Sequence, residues 1–150
     1  MPAKKVYIAS DHGGFLIKKK LVSFLKQKGW AVEDLGPFTL QPDDDYPDYA
    51  IPMAKKVAGD KNSLGIVACR NGQGVCIASN KVKGIRAVTG FSRQQAETTR
   101  KDDNANILCL PADYLSEPEI KNIVSAWLGT DFSNAARHKR RLRKVSALEK

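Results

Sequence analysis

The feature that most constrains this chain is a change of hydrophobic period that recurs along its whole length. A short apolar run, Lys5-Val6-Tyr7-Ile8-Ala9, precedes Ile17, Leu21, Phe24 and Leu25, whose i, i+4, i+7, i+8 spacing puts them on one face of a helix that ends near Gly29. Trp30 to Leu35 then reads as a second strand, and a loop from Gly36-Pro37 runs to Pro47. Tyr49, Ile51, Met53, Ala54 and Val57 mark a helix that ends near Gly59. Leu64 to Cys69 is the third strand, Arg70 to Gly74 a glycine turn, and Val75 to Ala78 the opening of a helix. Ile85 to Val88 and Ala105 to Leu110 read as the fourth and fifth strands, flanking a polar helix over Ser92 to Lys101. Ser116-Glu117-Pro118-Glu119 is a capping-box start, with the stripe Ile120, Ile123, Val124, Trp127, Leu128 up to Gly129. Five strand–helix units imply an α/β protein, with a doubly wound five-stranded parallel sheet in a Rossmann-like three-layer sandwich.

The chain's 150 residues suit one domain over 1–150, without repeat or linker, and allow a core that needs no disulfide. Hydrophobic residues at 42% and charged residues at 27% exclude disordered and collagen-like classes. No apolar run approaches the ~18 residues of a membrane span. The start, Met-Pro-Ala-Lys-Lys-Val-Tyr-Ile-Ala-Ser, lacks a long hydrophobic region, so the expected location is cytoplasmic and no membrane partner is expected. Three cysteines without a CxxC pair and two histidines far apart in sequence do not make a zinc framework, so no metal is expected.

The net charge of +9 is concentrated near the end, where Arg137, Lys139, Arg140, Arg141, Arg143 and Lys144 surround His138. Such a run suits phosphate groups or polyanions, or is simply a solvated helix face. No nucleic-acid module is recognisable, so nucleic acid is not the expected partner.

In open α/β sheets ligands bind at the carboxyl ends of the strands. After the first strand come Ser10-Asp11-His12-Gly13-Gly14, and after the third Cys69-Arg70-Asn71-Gly72-Gln73-Gly74. Glycines at a helix start let N–H groups face a phosphate or a developing oxyanion, although the same pattern also serves a plain tight turn. Cys69 ends a strand beside this amide cluster, a place where thiols become reactive, whereas Cys76 and Cys109 fall inside apolar runs and read as core. Asp11 reads equally as a helix N-cap.

The segments Ser10 to Phe15, Asp45-Tyr46-Pro47-Asp48-Tyr49-Ala50, Ile77 to Lys81, Gly84-Ile85-Arg86-Ala87, Asn104-Ala105-Asn106 and Arg137-His138-Lys139-Arg140-Arg141 resemble, in order and over essentially the whole chain, the family of ribose-5-phosphate isomerase B and galactose-6-phosphate isomerase. The resemblance implies a homodimer or dimer-based tetramer with sites at the subunit interface. It also implies cofactor-free aldose–ketose isomerisation of a phosphosugar, ribose 5-phosphate and ribulose 5-phosphate foremost. By the same resemblance Cys69 is the base that moves a proton between C1 and C2 through a cis-enediolate. Amides from Asn71 through Gly72 and Gln73 to Gly74 stabilise the oxyanion, with Asn71 where a Ser or Thr usually helps. Asp11, His12 and Tyr46 line the sugar pocket, Arg137 and Arg141 hold the phosphate, and Asp102 and Asp103 stand in the segment that opens the sugar ring.

Three positions depart from the pattern. Arg70 stands where glycine is usual, Asp102 replaces the ring-opening histidine, and Asp113 replaces an arginine. Arg70 is left to meet a substrate anion or to pair with Asp102 or Asp113. Two functional classes remain, an isomerase with Cys69 as base and a non-catalytic or substrate-shifted sugar-phosphate-binding relative.

Overall fold

The computed structural model describes residues 4–149. The sequence readings that fall on residues 1–3 and on residue 150, including the ends of the expected 1–150 domain, lie outside them.

Along the chain the elements are β1 (Lys5–Ser10), a 3₁₀ turn (His12–Gly14), α1 (Phe15–Gln27), β2 (Ala31–Asp34), α2 (Pro47–Gly59), β3 (Ser63–Cys69), α3 (Gln73–Asn80), β4 (Ala87–Thr89), α4 (Arg93–Asp103), β5 (Ile107–Pro111), α5 (Glu117–Leu128) and α6 (Ala136–Ser146). The five strands form one parallel sheet in the order β2-β1-β3-β5-β4. Val6 pairs with Val32, Ile8 with Ile66, Val67 with Cys109 and Val88 with Leu108. Strands covered on both faces need apolar residues at successive positions, which is why they read as continuous runs.

Alternate residues of each strand go to opposite faces. Val6, Ile8, Ile66, Leu108 and Leu110 meet Leu21 and Leu25 of α1 and Ile120, Ile123, Val124 and Trp127 of α5. Tyr7, Ala9, Val67, Ile107 and Cys109 meet Met53 and Val57 of α2 and Val75 of α3. The expected three layers are therefore present. Ser116 makes its capping box with Glu119, and Ser92 caps α4 by accepting the Gln95 N–H at 3.1 Å.

Two sequence readings need correction. The fourth strand begins at Ala87 rather than Ile85, because the Arg86 N–H is taken by the Asn106 side chain at 2.7 Å instead of a neighbouring strand. The fifth runs from Ile107 to Pro111, two residues later than the apolar run suggests. Within Lys18-Lys19-Lys20, a run the sequence reading did not single out, the Lys18 side chain is only 1% exposed. Its ammonium donates to both carboxylate oxygens of Asp34 and to the Pro37 carbonyl, which closes the loop after β2 onto α1.

Among the described residues no helix is long and apolar enough to cross a membrane.

Candidate active site

The strand order turns back between β1 and β3, and the crevice at their carboxyl ends is where this architecture places ligands. Both candidate loops open there. After β1, Asp11 is buried and caps the 3₁₀ turn by accepting the Gly14 N–H at 3.2 Å. Burial pushes its carboxyl above the usual carboxylate range, against the opposing pull of the Gly14 N–H and of His12.

His12 is half-buried and fixed by a residue the sequence did not single out. Its Nδ1 lies 2.7 Å from Asp44 Oδ1, and its backbone N–H donates to the same oxygen at 3.0 Å. The Asp44 side chain is only 7% exposed. In the neutral imidazole this pairing puts the proton on Nδ1 and leaves the Nε2 lone pair free. In sequence Asp44 is the middle of an Asp43-Asp44-Asp45 run that reads as a solvated loop, and no local signal separates it from its neighbours. Donor atoms of Asp11, His12 and Asp44 come within 4.8 Å of one another, a grouping that the cysteine and histidine spacings do not reveal.

At the end of β3, Cys69 is buried, and its Sγ accepts the Gly72 N–H at 3.2 Å. The thiol also points at Asn71 Oδ1, 3.7 Å away, and that oxygen accepts the Gln73 N–H at 3.0 Å. Gly72 takes φ +72, the left-handed conformation that turns the chain from the end of β3 into α3. Gly74 is needed for a different reason. A Cβ there would lie 2.8 Å from Tyr46 Cζ, so the bare backbone lets the Tyr46 ring close over the turn.

Arg70 is exposed and pairs with Asp113, Nη1 to Oδ2, at 3.4 Å. Two of the three departures thus face each other at the rim of the site, and of the alternatives left open the pairing with Asp113 is the one present.

The remaining expected residues lie elsewhere in the chain. α4 starts beyond the carboxyl end of β4 and runs back, so Asp102 and Asp103 arrive at the amino-terminal end of the sheet, before β5. Eleven helical residues carry them about 16 Å from where α4 begins. There Asp102 Oδ1 lies 3.5 Å from Nε2 of His138, the buried residue of α6. Burial and the Asp102 charge push the Asp103 carboxyl up. Arg137 and Arg141 are exposed, one turn apart on α6. Asp11, His12, Tyr46, Cys69, Asn71, Gly72, Gln73 and Gly74 are brought together within one chain; Asp102, Asp103, Arg137 and Arg141 are not brought to them.

The core reading holds for Cys109 and only in part for Cys76, which packs against the same cluster without being fully buried. Cys109 is fully buried, and its thiol is pushed up by that burial. Cys76 is half-buried on α3, and a hydrogen bond from Cys109 holds its thiol down at about 7.

The model of the family described as Ribose/Galactose Isomerase matches residues 6–145. The chain is 42% identical over 145 residues to a protein named probable ribose-5-phosphate isomerase B of Mycoplasma pneumoniae, covering 97% of this chain and 95% of the relative. It is 36% identical over 146 residues to ribose-5-phosphate isomerase B of Escherichia coli, covering 97% of each. A crystal structure of ribose-5-phosphate isomerase B from Mycoplasma genitalium with bound ribulose-5-phosphate superimposes with a TM-score of 0.93 at 42% identity, over 97% of this chain and 95% of the other. The Trypanosoma brucei type B enzyme gives the same TM-score at 36% identity. From its first strand to its last helix, this chain belongs to the Ribose/Galactose Isomerase family.

Proposed function

We propose that this protein is a single-domain aldose–ketose isomerase that interconverts ribose 5-phosphate and ribulose 5-phosphate, with Cys69 as the base. The observation that carries the reading is Cys69 Sγ at the β1/β3 crevice, 3.2 Å from the Gly72 N–H and followed by the amides of the α3 start. In its thiolate form Cys69 takes the proton from C2 of the open-chain aldose. The C2–H electrons form the C1–C2 double bond, and the carbonyl electrons move to O1, giving a cis-enediolate whose oxygens the loop amides stabilise. Proton transfer from O2 toward O1 and return of the Cys69 proton to C1 complete the ketose. Asp11 and the free Nε2 of His12 face the sugar hydroxyls, and Tyr46 closes the pocket. Arg70 sets a guanidinium at its mouth, positioned by Asp113.

The site is completed by a second copy of the chain. Arg137 and Arg141 fit a phosphate group bidentately, and the Asp102–His138 pair supplies the acid/base couple for ring opening, yet these residues stand at the far end of the sheet from Cys69 in their own subunit. Exposed apolar side chains flank the catalytic turn, Phe91 at 63% and Tyr114 at 75%, and are available to an apposed subunit. The test mixes two inactive variants, Cys69→Ala and Arg137→Met/Arg141→Met, after dissociation and reassembly. If each site takes Cys69 from one subunit and the arginines from its partner, the mixture recovers about a quarter of wild-type ribose 5-phosphate turnover, because half the dimers are hybrids with one intact site. No recovery refutes the shared site; no turnover of ribose 5-phosphate by the wild type refutes the reaction.

A further inference from the structure

The amino-terminal end of the sheet holds a cavity of about 400 Å³ that the reaction does not use. Its walls are the residue before β1, the end of α2, the starts of β3 to β5 and the last turn of α4. Four cationic side chains line it, Lys4, Lys61, Arg86 and Arg100, against one carboxylate, Asp60. Among the described residues none of the four cations has a carboxylate oxygen within 4.0 Å.

Arg100 is 2% exposed. Its Nε donates to the Thr130 carbonyl at 3.2 Å, and its Nη1 to Asn104 Oδ1 at 3.2 Å and to the Ala105 carbonyl. Arg86 Nε donates to the Asn104 carbonyl at 2.8 Å. Neutral oxygens therefore fix both guanidinium groups in place without balancing their charge. A buried charge without a counter-charge is costly, and here Arg100 is buried, Lys4 and Arg86 are half-buried, and the exposed Lys61 stands at the margin of the same space. Burial depresses the pKa of Lys4, Arg86 and Arg100, and the Arg100 charge depresses Lys4 further. The acidic groups that counter this, Asp131 toward Lys4 and Arg100 and Glu149 toward Arg86, have smaller effects than burial does. Glu149 stands at the rim, where its Oε2 accepts the Gly84 N–H.

We propose that this cavity is a second anion site, taking inorganic phosphate or the phosphate group of a small phosphorylated metabolite. Two fixed guanidinium forks suit phosphate oxygens, Lys4 and Lys61 add mobile donors, and the volume exceeds a bare phosphate by enough to hold the remainder of a small ester. Ser63 in the cavity wall and Cys69 are the two ends of β3, so about 20 Å separates the bound anion from Cys69 of the same chain. None of the residues that line it has a role in the isomerase reading, so the proposal stands whether or not that reading does.

The experiment titrates the full chain with inorganic phosphate and, separately, with glycerol 3-phosphate, at ionic strength held constant with KCl, and follows backbone amides by NMR. The Gly84 and Asn106 amides shift saturably in the wild type and equally in Arg137→Met/Arg141→Met, which removes the phosphate contacts proposed for the substrate. Lys4→Gln/Lys61→Gln, two changes at the cavity margin that disturb no core contact, raises Kd at least tenfold. Tighter binding of the ester identifies a metabolite as the occupant, and equal binding identifies phosphate itself. Gly84 and Asn106 amides that do not saturate, or a Kd unchanged in Lys4→Gln/Lys61→Gln, overturns the proposal.

Discussion

Gly72→Ala tests whether the conformation of the turn proposed to serve catalysis matters as the geometry requires. The residue sits at φ +72, and an L-residue in the left-handed region costs about 1–2 kcal/mol. The added Cβ would also lie 2.9 Å from the Pro111 nitrogen and 3.0 Å from the Leu110 carbonyl carbon, both backbone atoms of β5. A strand paired in the sheet cannot give way as a side chain can, and overpacking of this kind costs about 1–3 kcal/mol. The sum, about 2–5 kcal/mol, is a large part of the 5–15 kcal/mol by which a domain is normally stable. Relief by shifting the turn would pull the Gly72 N–H from Cys69 Sγ and misalign the amides meant for the enediolate. Loss of one such donor lowers turnover about 10²-fold. Urea unfolding followed by circular dichroism gives the stability change, and ribose 5-phosphate turnover under conditions where the variant is folded gives the second number. Gly74→Ala is the control, because its Cβ meets the Tyr46 ring, a side chain 37% exposed that can swing aside. It costs about 1 kcal/mol and acts on KM more than on kcat. A Gly72→Ala variant within about 0.5 kcal/mol of wild type, or one with unchanged turnover, refutes the reasoning.

Asp11→Asn keeps an acceptor for the Gly14 N–H while removing a buried charge. Because burial raises the folded-state pKa of Asp11 above its unfolded value of about 3.9, stability from this group is present at low pH and lost as pH rises through the two values. The variant therefore melts above wild type at pH 7, by a margin that shrinks toward pH 3; calorimetry showing a constant margin, or a lower Tm at pH 7, contradicts the assignment. With its thiol at about 7 and half-buried, Cys76 is carboxamidomethylated by iodoacetamide before Cys109, with a rate that climbs through pH 7, and peptide mass spectrometry reads the order. Equal labelling of Cys76 and Cys109 would remove the distinction between them. Lys18→Met leaves the Asp34 carboxylate and the Pro37 carbonyl without their buried ammonium and costs about 3 kcal/mol in urea unfolding; a neutral effect would place Lys18 in solvent.

The order of strands and helices was legible in the sequence because the hydrophobic period switches from run to stripe at each unit, and a parallel sheet covered on both faces enforces that switch. Boundaries were less so. Ile85 is apolar and buried, yet strand pairing begins only at Ala87, and the asparagine that intervenes comes from 20 residues away. The Cys69 turn was legible because cysteine, left-handed glycine and helix start are adjacent in the chain. Asp44 and Lys18 were not, since each gains its role from a partner distant in sequence, and a run of three aspartates or three lysines reads locally as solvated. Cys76 lies among apolar neighbours, but a helix presents successive residues to different surroundings. Val75 faces the core, Ile77 is 61% exposed, and Cys76 turns toward Cys109 between them.

The most direct test of the account is the fate of one proton. Ribose 5-phosphate incubated with the protein in heavy water and followed by NMR gives ribulose 5-phosphate that carries solvent deuterium at C1 to the extent that the proton on Cys69 exchanges before it returns. Cys69→Ala, folded as judged by circular dichroism, slows this conversion at least 10²-fold. Conversion by Cys69→Ala at a near wild-type rate would contradict proton transfer through Cys69.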